Sequence, residues 1–179
     1  MRIVEVTPYN EQWVSLFEEE AEKLKKVFGP EIIHIHHIGS TSVKGLKAKP
    51  IIDIMPVVKN ISLIDKFNKE MEALGYEPKG ENGISGRRYF KKGGDSRTHH
   101  IHIYEFKNPH IKRHLAFRDY LRAHPDAVKK YGNLKEVLSN RYPFDIQSYI
   151  KGKEHLAIEI EQKAMAWYQS LTSINELSQ

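Results

Sequence analysis

The sequence predicts an α+β fold: a mixed β-sheet with flanking helices, followed by a C-terminal helical segment from about residue 109. Three observations lead there. Short β-branched runs alternate with helix-period stretches as far as Glu105. Ile51–Val58 is almost continuously apolar, as in a strand covered on both faces. Beyond Pro109 only helical spacing remains. A chain of 179 residues suits one well-buried core and is short for two. With no internal repeat, low-complexity tract or Pro/Ser-rich linker, residues 1–179 read as a single domain.

Pro8 and Asn10 lead into a helix over about 11–28, where Trp13, Leu16, Phe17, Leu24, Val27 and Phe28 recur at helical spacing. Gly29-Pro30 ends it. Residues 31–38 read as a strand, with Ile33 and Ile35 alternating against His34 and His36. Residues 39–50 form a turn segment of small residues, with a short helix at its start, and 51–58 the next strand. Ile61, Ile64, Phe67, Met71 and Leu74 make one stripe, predicting a helix over 62–74 closed by Gly75. Residues 76–86 are turn-rich. Residues 87–92 and 98–105 read as strands joined through Gly93-Gly94-Asp95, a hairpin with a longer loop. Helices follow over 109–124, from Pro125 to about Asn140, and over 144–171. In the last, Ile146, Ile150, Ala157, Ile160, Ala164 and Leu171 form a seam that packs within the domain or between copies in a homo-oligomer.

Composition bounds the function. Forty per cent hydrophobic and 28% charged is a globular balance. The absence of cysteine excludes disulfides and thiolate metal sites and fits a reducing compartment. The N-terminus lacks an apolar signal core and the apolar runs are short, so a cytoplasmic protein with no membrane span is expected. The net charge of +5 is read either as a solvated basic surface or as attraction to phosphates.

Two stretches carry candidate chemistry. In the first, a strand ends in Gly39-Ser40, and Thr41 and Ser42 open a short helix. Such a turn is often an ordinary cap; it also lets backbone N–H groups approach a phosphate. The second holds Asp53, a lone carboxylate in an apolar strand. It either pairs with Lys49 or an arginine, or opens onto a pocket, where it would bind a divalent cation or accept a proton. On the strand 98–105, alternation puts His100, His102 and Tyr104 on one face, with Ile101 and Ile103 in the core. Arg87, Arg88 and Lys49 are candidates for phosphate contact, and alternation allows at most one of the two arginines to face a pocket. Arg97, Arg118 and Arg122 are further basic residues within reach of a ligand. His34, His36 and His37 read as structural.

The strand, Gly-Ser turn, short helix and acid-bearing strand resemble the nucleotidyltransferase superfamily. More closely, HHIGSTSVKGLKAKPIIDI, THHIHIYE and FRDYLRAHPDAVKKYGNLK resemble the GrpB family, described as predicted nucleotidyltransferases, over roughly residues 4–167. The resemblance implies that Gly39 and Ser40 hold a nucleoside triphosphate and that Asp53 holds Mg²⁺ or Mn²⁺. The second carboxylate of the superfamily falls at Met55, whose thioether is a poor ligand for Mg²⁺. His100 and His102 either offer a replacement beside Asp53, a set better suited to Zn²⁺, Mn²⁺ or Fe²⁺, or are hydrogen-bonded strand residues or substrate contacts without metal.

The functions expected are therefore a metal-dependent nucleotidyltransferase acting on an unknown acceptor, or a non-catalytic module binding a nucleotide or coenzyme A. The second follows from the resemblance, because GrpB-like segments occur fused to dephospho-CoA kinase. Nucleic-acid binding ranks last, since the sequence shows neither a basic-aromatic stacking motif nor a helix-turn-helix pattern.

Overall fold

In the computed structural model, which describes residues 1–177 and the side chains of residues 1–175, one five-stranded mixed sheet organises the chain. Strands β1 (Ile32–Ile38), β2 (Ile52–Val58), β3 (Tyr76–Pro78), β4 (Arg87–Lys92) and β5 (His99–Glu105) lie in the order β1-β2-β5-β4-β3. β2 runs parallel to β5, and the other neighbours are antiparallel. The apolar β2 thus sits between β1 and β5, paired on both edges.

Alternation along these strands separates two environments. On one face Ile52, Ile54, Phe90, Ile101 and Ile103 pack against Trp13, Leu24 and Phe28 of α1 (Gln12–Phe28) and Met71 of α2 (Asn68–Ala73). The opposite face carries Asp53, Met55, His100 and His102, with Arg87 and Tyr89 brought alongside by the pairing of β4 with β5. Three helices cover part of it: α3 (Pro109–Ala123), α4 (Pro125–Arg141) and α5 (Ile146–Leu177). Ile38, Met55 and Tyr104 pack there against Ile111 and Leu115 of α3. Leu46, Leu121, Tyr131 and Ile160 make the core of the helical layer. No helix among the described residues is long and apolar enough to cross a membrane.

Several elements differ from the sequence pattern. Only residues 68–73 of the expected helix over 62–74 are α-helical; Ile61–Phe67 is a 3-10 segment. There Asn60 accepts from the Ser62 backbone N–H at 3.0 Å and from its hydroxyl at 2.6 Å, a local alternative to the α-helical pattern. Tyr76–Pro78, read as turn, is the edge strand β3, too short to show a period; its proline is tolerated at a sheet edge. The short helix expected at the start of the 39–50 turn is the 3-10 segment Ser40–Ser42. In α5 the apolar seam is divided: Ile160 and Ala164 are buried, whereas Ile150 and Leu171 are exposed.

One buried acid ties α1 to the sheet edge. Glu20 is 3% exposed and accepts from the Tyr76 hydroxyl at 2.7 Å and from Lys92 at 2.9 Å. Burial pushes its carboxyl up, but the hydrogen bonds from Tyr76 and Lys92, with the charges of His99 and Lys92, outweigh burial and hold it below the ordinary value of 4.5. A depressed folded-state value means that the ionised form stabilises the fold above about pH 4.5, and this is lost as pH falls through the folded value. We expect Glu20→Gln to lower stability at pH 7 by about 2 kcal/mol, the scale of hydrogen bonds to a buried charge. In thermal melts the gap from wild type should close on acidification. A gap independent of pH would show that Glu20 acts through packing alone.

Candidate active site

β1 delivers its last residue, Ile38, opposite Asp53 on β2. The chain then turns at Gly39, with φ +70° and ψ −172°, into the 3-10 segment Ser40–Ser42. A Cβ on Gly39 would stand 2.6 Å from Asp53 Oδ2 and 3.1 Å from its Cγ, so only glycine lets the backbone lie against this carboxylate. The Ser42 N–H donates to the Gly39 carbonyl at 3.1 Å and the Val43 N–H to that of Ser40 at 3.2 Å. Buried Thr41 meets His37 Nε2 at 2.9 Å. The His37 ring, stacked on Phe17, is pushed down to about 4, chiefly by burial.

Parallel pairing sets His100 beside Asp53, and alternation brings His102 to the same face. His102 Nε2 lies 3.1 Å and His100 Nδ1 3.4 Å from Asp53 Oδ1. The outer nitrogens meet guanidiniums: Arg97 Nη1 is 3.1 Å from His100 Nε2, and Arg87 Nη1 is 3.5 Å from His102 Nδ1. A guanidinium only donates, so the outer nitrogens accept and the inner N–H groups point at Asp53. Burial acts to raise the Asp53 carboxyl, but both imidazoles, by hydrogen bond and charge, hold it well below the usual carboxylate range. It is an anion in this setting.

Asp53, His100 and His102 each offer a ligand atom, and these atoms lie within 4.8 Å of one another. By donor type and spacing the set fits a Zn²⁺-, Mn²⁺- or Fe²⁺-class ion better than Mg²⁺, which favours an all-oxygen octahedron. Loading carries a condition. The inner nitrogens must shed their protons, and the outer ones then carry N–H groups facing Arg97 and Arg87, where a metal-bound histidine normally finds an acceptor. Ligation therefore requires these guanidiniums to withdraw.

The helical layer completes a cleft in front of Asp53. A cavity of about 810 Å³ is lined by Ser40, Thr41, Lys49, Asp53, Arg87, His100 and His102, together with Tyr131, Lys135, Tyr149 and Lys153. A smaller one of about 290 Å³ shares Ser40, Asp53 and His102 and reaches Arg113, His114 and Phe117. Lys135 is 2% exposed; its ammonium donates to the Ser40 hydroxyl at 2.8 Å and lies over the Tyr131 ring at 4.7 Å. Burial, then the charges of Lys153 and Lys49, hold it well below an ordinary lysine. His114, against the His102 ring at 5.5 Å, is pushed down to about 3, first by burial and then by His102 and Arg113. The sequence reading missed Lys135, Lys153 and His114. Lys135 lies 95 residues beyond Ser40, in an amphipathic helix where a lysine looks solvated.

Gly39, Ser40, Thr41, Lys49, Asp53, Arg87, His100 and His102 all reach this cleft. Two phosphate-binding candidates do not. Arg88 alternates to the opposite face, where Nε pairs with Asp65 at 2.8 Å. Ser42 turns its hydroxyl back on the Gly39 carbonyl at 2.5 Å, while its own carbonyl accepts from Arg122 at 2.8 and 3.0 Å. Arg118 similarly donates to the His37 carbonyl at 3.2 Å. Arg118 and Arg122 of α3 thus brace the turn from behind. Met55 is fully buried between Ile38 and Tyr104, so the position of a second carboxylate is part of the core.

Comparison with known proteins agrees with this architecture. YqkA of Bacillus subtilis is 53% identical over 174 residues, 97% of this chain and 51% of that protein. The chain thus spans about half the length of this relative. The crystal structure of the conserved protein GrpB from Enterococcus faecalis superposes with a TM-score of 0.90 at 46% identity, covering 92% of this chain and 99% of that one. The nucleotidyltransferase Cid1, in complex with its short product ApU, gives a TM-score of 0.50 at 14% identity, covering 73% of this chain and 42% of that one; the fold resembles that of nucleotidyltransferases. A dephospho-CoA kinase of Mycolicibacterium paratuberculosis is 24% identical over 192 residues, 93% of this chain and 47% of that protein. Residues 3–163 match the sequence profile described as GrpB protein, and the chain belongs to the GrpB family.

Proposed function

We propose that the chain is a metal-dependent nucleotidyltransferase that moves a nucleoside monophosphate from a nucleoside triphosphate to the hydroxyl of an acceptor. The observation that carries this reading is the seating of the Gly39-Ser40 turn on Asp53 at the mouth of a cation-rich cleft. Ser40 and Lys135, joined at 2.8 Å, hold the triphosphate, and Lys153 and Arg87 add charge along its path. Asp53, His100 and His102 hold the metal, which when bound polarises the phosphoryl oxygens and steadies the charge that develops on them. Because Asp53 stays ionised, it suits cation binding rather than proton transfer. In the transfer the acceptor oxygen bonds to the α-phosphorus, the bond to the bridging oxygen breaks, pyrophosphate leaves, and the hydroxyl proton passes to water.

Met55 favours a second reading: a module that binds a nucleotide or a coenzyme A-like molecule without transferring anything. The similarity to a dephospho-CoA kinase points to the same ligand class.

Four measurements test these readings. ATP with Mn²⁺ or Zn²⁺ should raise the wild-type melting temperature, and Asp53→Asn should abolish the metal-dependent part; an unchanged shift removes Asp53 from the site. Metal analysis should show His100→Ala with His102→Ala retaining less than a tenth of the bound metal, and equal content would remove the histidine ligands. Gly39→Ala, which forces a Cβ onto Asp53, should destabilise by about 1–3 kcal/mol and eliminate the nucleotide shift. Pyrophosphate release with hydroxyl acceptors then separates transferase from binder: a ligand shift without release supports the second reading.

A further inference from the structure

A further cavity, of about 390 Å³, adjoins the cleft and shares Lys49 and Ile51 with it. Its walls bring together Arg2 from the N-terminal segment, Lys49 from the approach to β2 and Arg97 from the β4–β5 loop. None of the three makes an ion pair with a carboxylate among the described residues. Arg97 is spent on neutral groups, the Gly94 carbonyl at 3.1 Å and His100 Nε2 at 3.1 Å. The Lys49 ammonium has the Tyr149 ring, 5.2 Å away, as a neighbour. Two acids line the same cavity, Glu5 and Asp95. Both are exposed, and Asp95 pairs with the N-terminal amine at 3.3 Å.

The acids are exposed and form no ion pair with the three cations, so the like charges still repel, and a fold retains such a cluster at a cost unless an anion completes it. The strain is visible at Lys49, pushed down to about 8 by burial first and then by Arg2 and Lys153, with Asp53 opposing. Two guanidiniums and an ammonium offer a dianionic phosphate an excess of positive charge, and the guanidiniums supply paired N–H donors.

We propose that Arg2, Lys49 and Arg97 form an anion subsite that takes the phosphate group of a phosphorylated small molecule, the acceptor of the transfer. The acceptor assignment rests on the function proposed above; the phosphate site itself does not. The subsite lies on the Lys49 side of the cleft, whereas Ser40 and Lys135 bind the nucleotide tail. Asp53 and its histidines line the same cavity as Lys49, Ser40 and Lys135, so an acceptor anchored by its phosphate presents its remaining groups there. Arg97 also couples the two regions. A phosphate that draws its guanidinium away from His100 frees the outer nitrogen that metal ligation needs.

The test is calorimetric titration of the full chain with inorganic phosphate at constant ionic strength, without metal, with and without saturating ATP. We expect saturable phosphate binding that survives in the presence of ATP. It should weaken at least tenfold in Arg2→Gln with Lys49→Gln, and likewise in Arg97→Gln. Arg97→Lys and Lys49→Arg, which keep the charge, should retain most of the affinity, and Arg88→Gln on the opposite face should match wild type. Absence of phosphate binding to wild type, equal binding in the glutamine variants, or displacement by ATP with a matching loss of ATP affinity each overturns the subsite. Phosphate binding as expected, with neither a melting shift nor pyrophosphate release when ATP is added with Mn²⁺, leaves the subsite standing and removes the nucleotidyltransferase reading.

Discussion

The contact between the Gly39 backbone and the Asp53 carboxylate is the constraint on which the site depends. Two strands paired antiparallel bring the end of β1 level with Asp53, and the chain must then turn without intruding on the acid. With 2.6 Å available where a Cβ would stand, the position is closed to every residue but glycine. A turn held this close keeps the Ser40 hydroxyl and the acid in one cleft without any direct bond between them. The helical layer reinforces it, because Arg118 and Arg122 donate to carbonyls on both sides of the turn.

Electrostatics around Asp53 follow from the same sheet. A carboxylate at this depth is unstable alone, and the strand order supplies its partners: β5, parallel to β2, places both imidazoles within 3.4 Å. Their outer nitrogens are in turn engaged by arginines, giving a chain of donors that ends on a single acceptor. The negative charge is thereby covered on the histidine side, while Oδ2 faces the Gly39 turn. Cations dominate beyond it: Lys135, Lys153, Lys49 and Arg87 line the cavity, against Glu154 as the other acid. Such a field favours anions.

The buried Met55 links stability to chemistry. In a nucleotidyltransferase-like fold, the residue two beyond the first acid shares its face, and here that residue closes the core with Ile38 and Tyr104. Introducing a carboxylate there would desolvate it among apolar groups. A second carboxylate beside Asp53 on this strand is therefore disfavoured, and the neighbouring donor atoms are the imidazoles of His100 and His102.

What the sequence determined by itself were properties that live in local pattern. The period-2 alternation of β5 sorted His100 and His102 from Ile101 and Ile103, and the solitary Asp53 in an apolar run identified the cleft side of β2. Helical periods located α1, α3 and α4 to within a few residues, whereas α5 runs six residues past its expected end, to Leu177. The 3-10 segment at Ile61 and the short strand β3 escaped, because too few residues carry a period there and pairing with β4 decides the latter. Only the tertiary structure chose between Arg87 and Arg88, since alternation fixes that they differ but not which one faces Asp53. It alone brought Lys135 onto Ser40 and Arg2 beside Lys49 and Arg97. These contacts join segments far apart in the chain: helix packing sets the first, and the Thr7–Ala48 bridge and the β4–β5 loop set the second, rather than any spacing within the sequence.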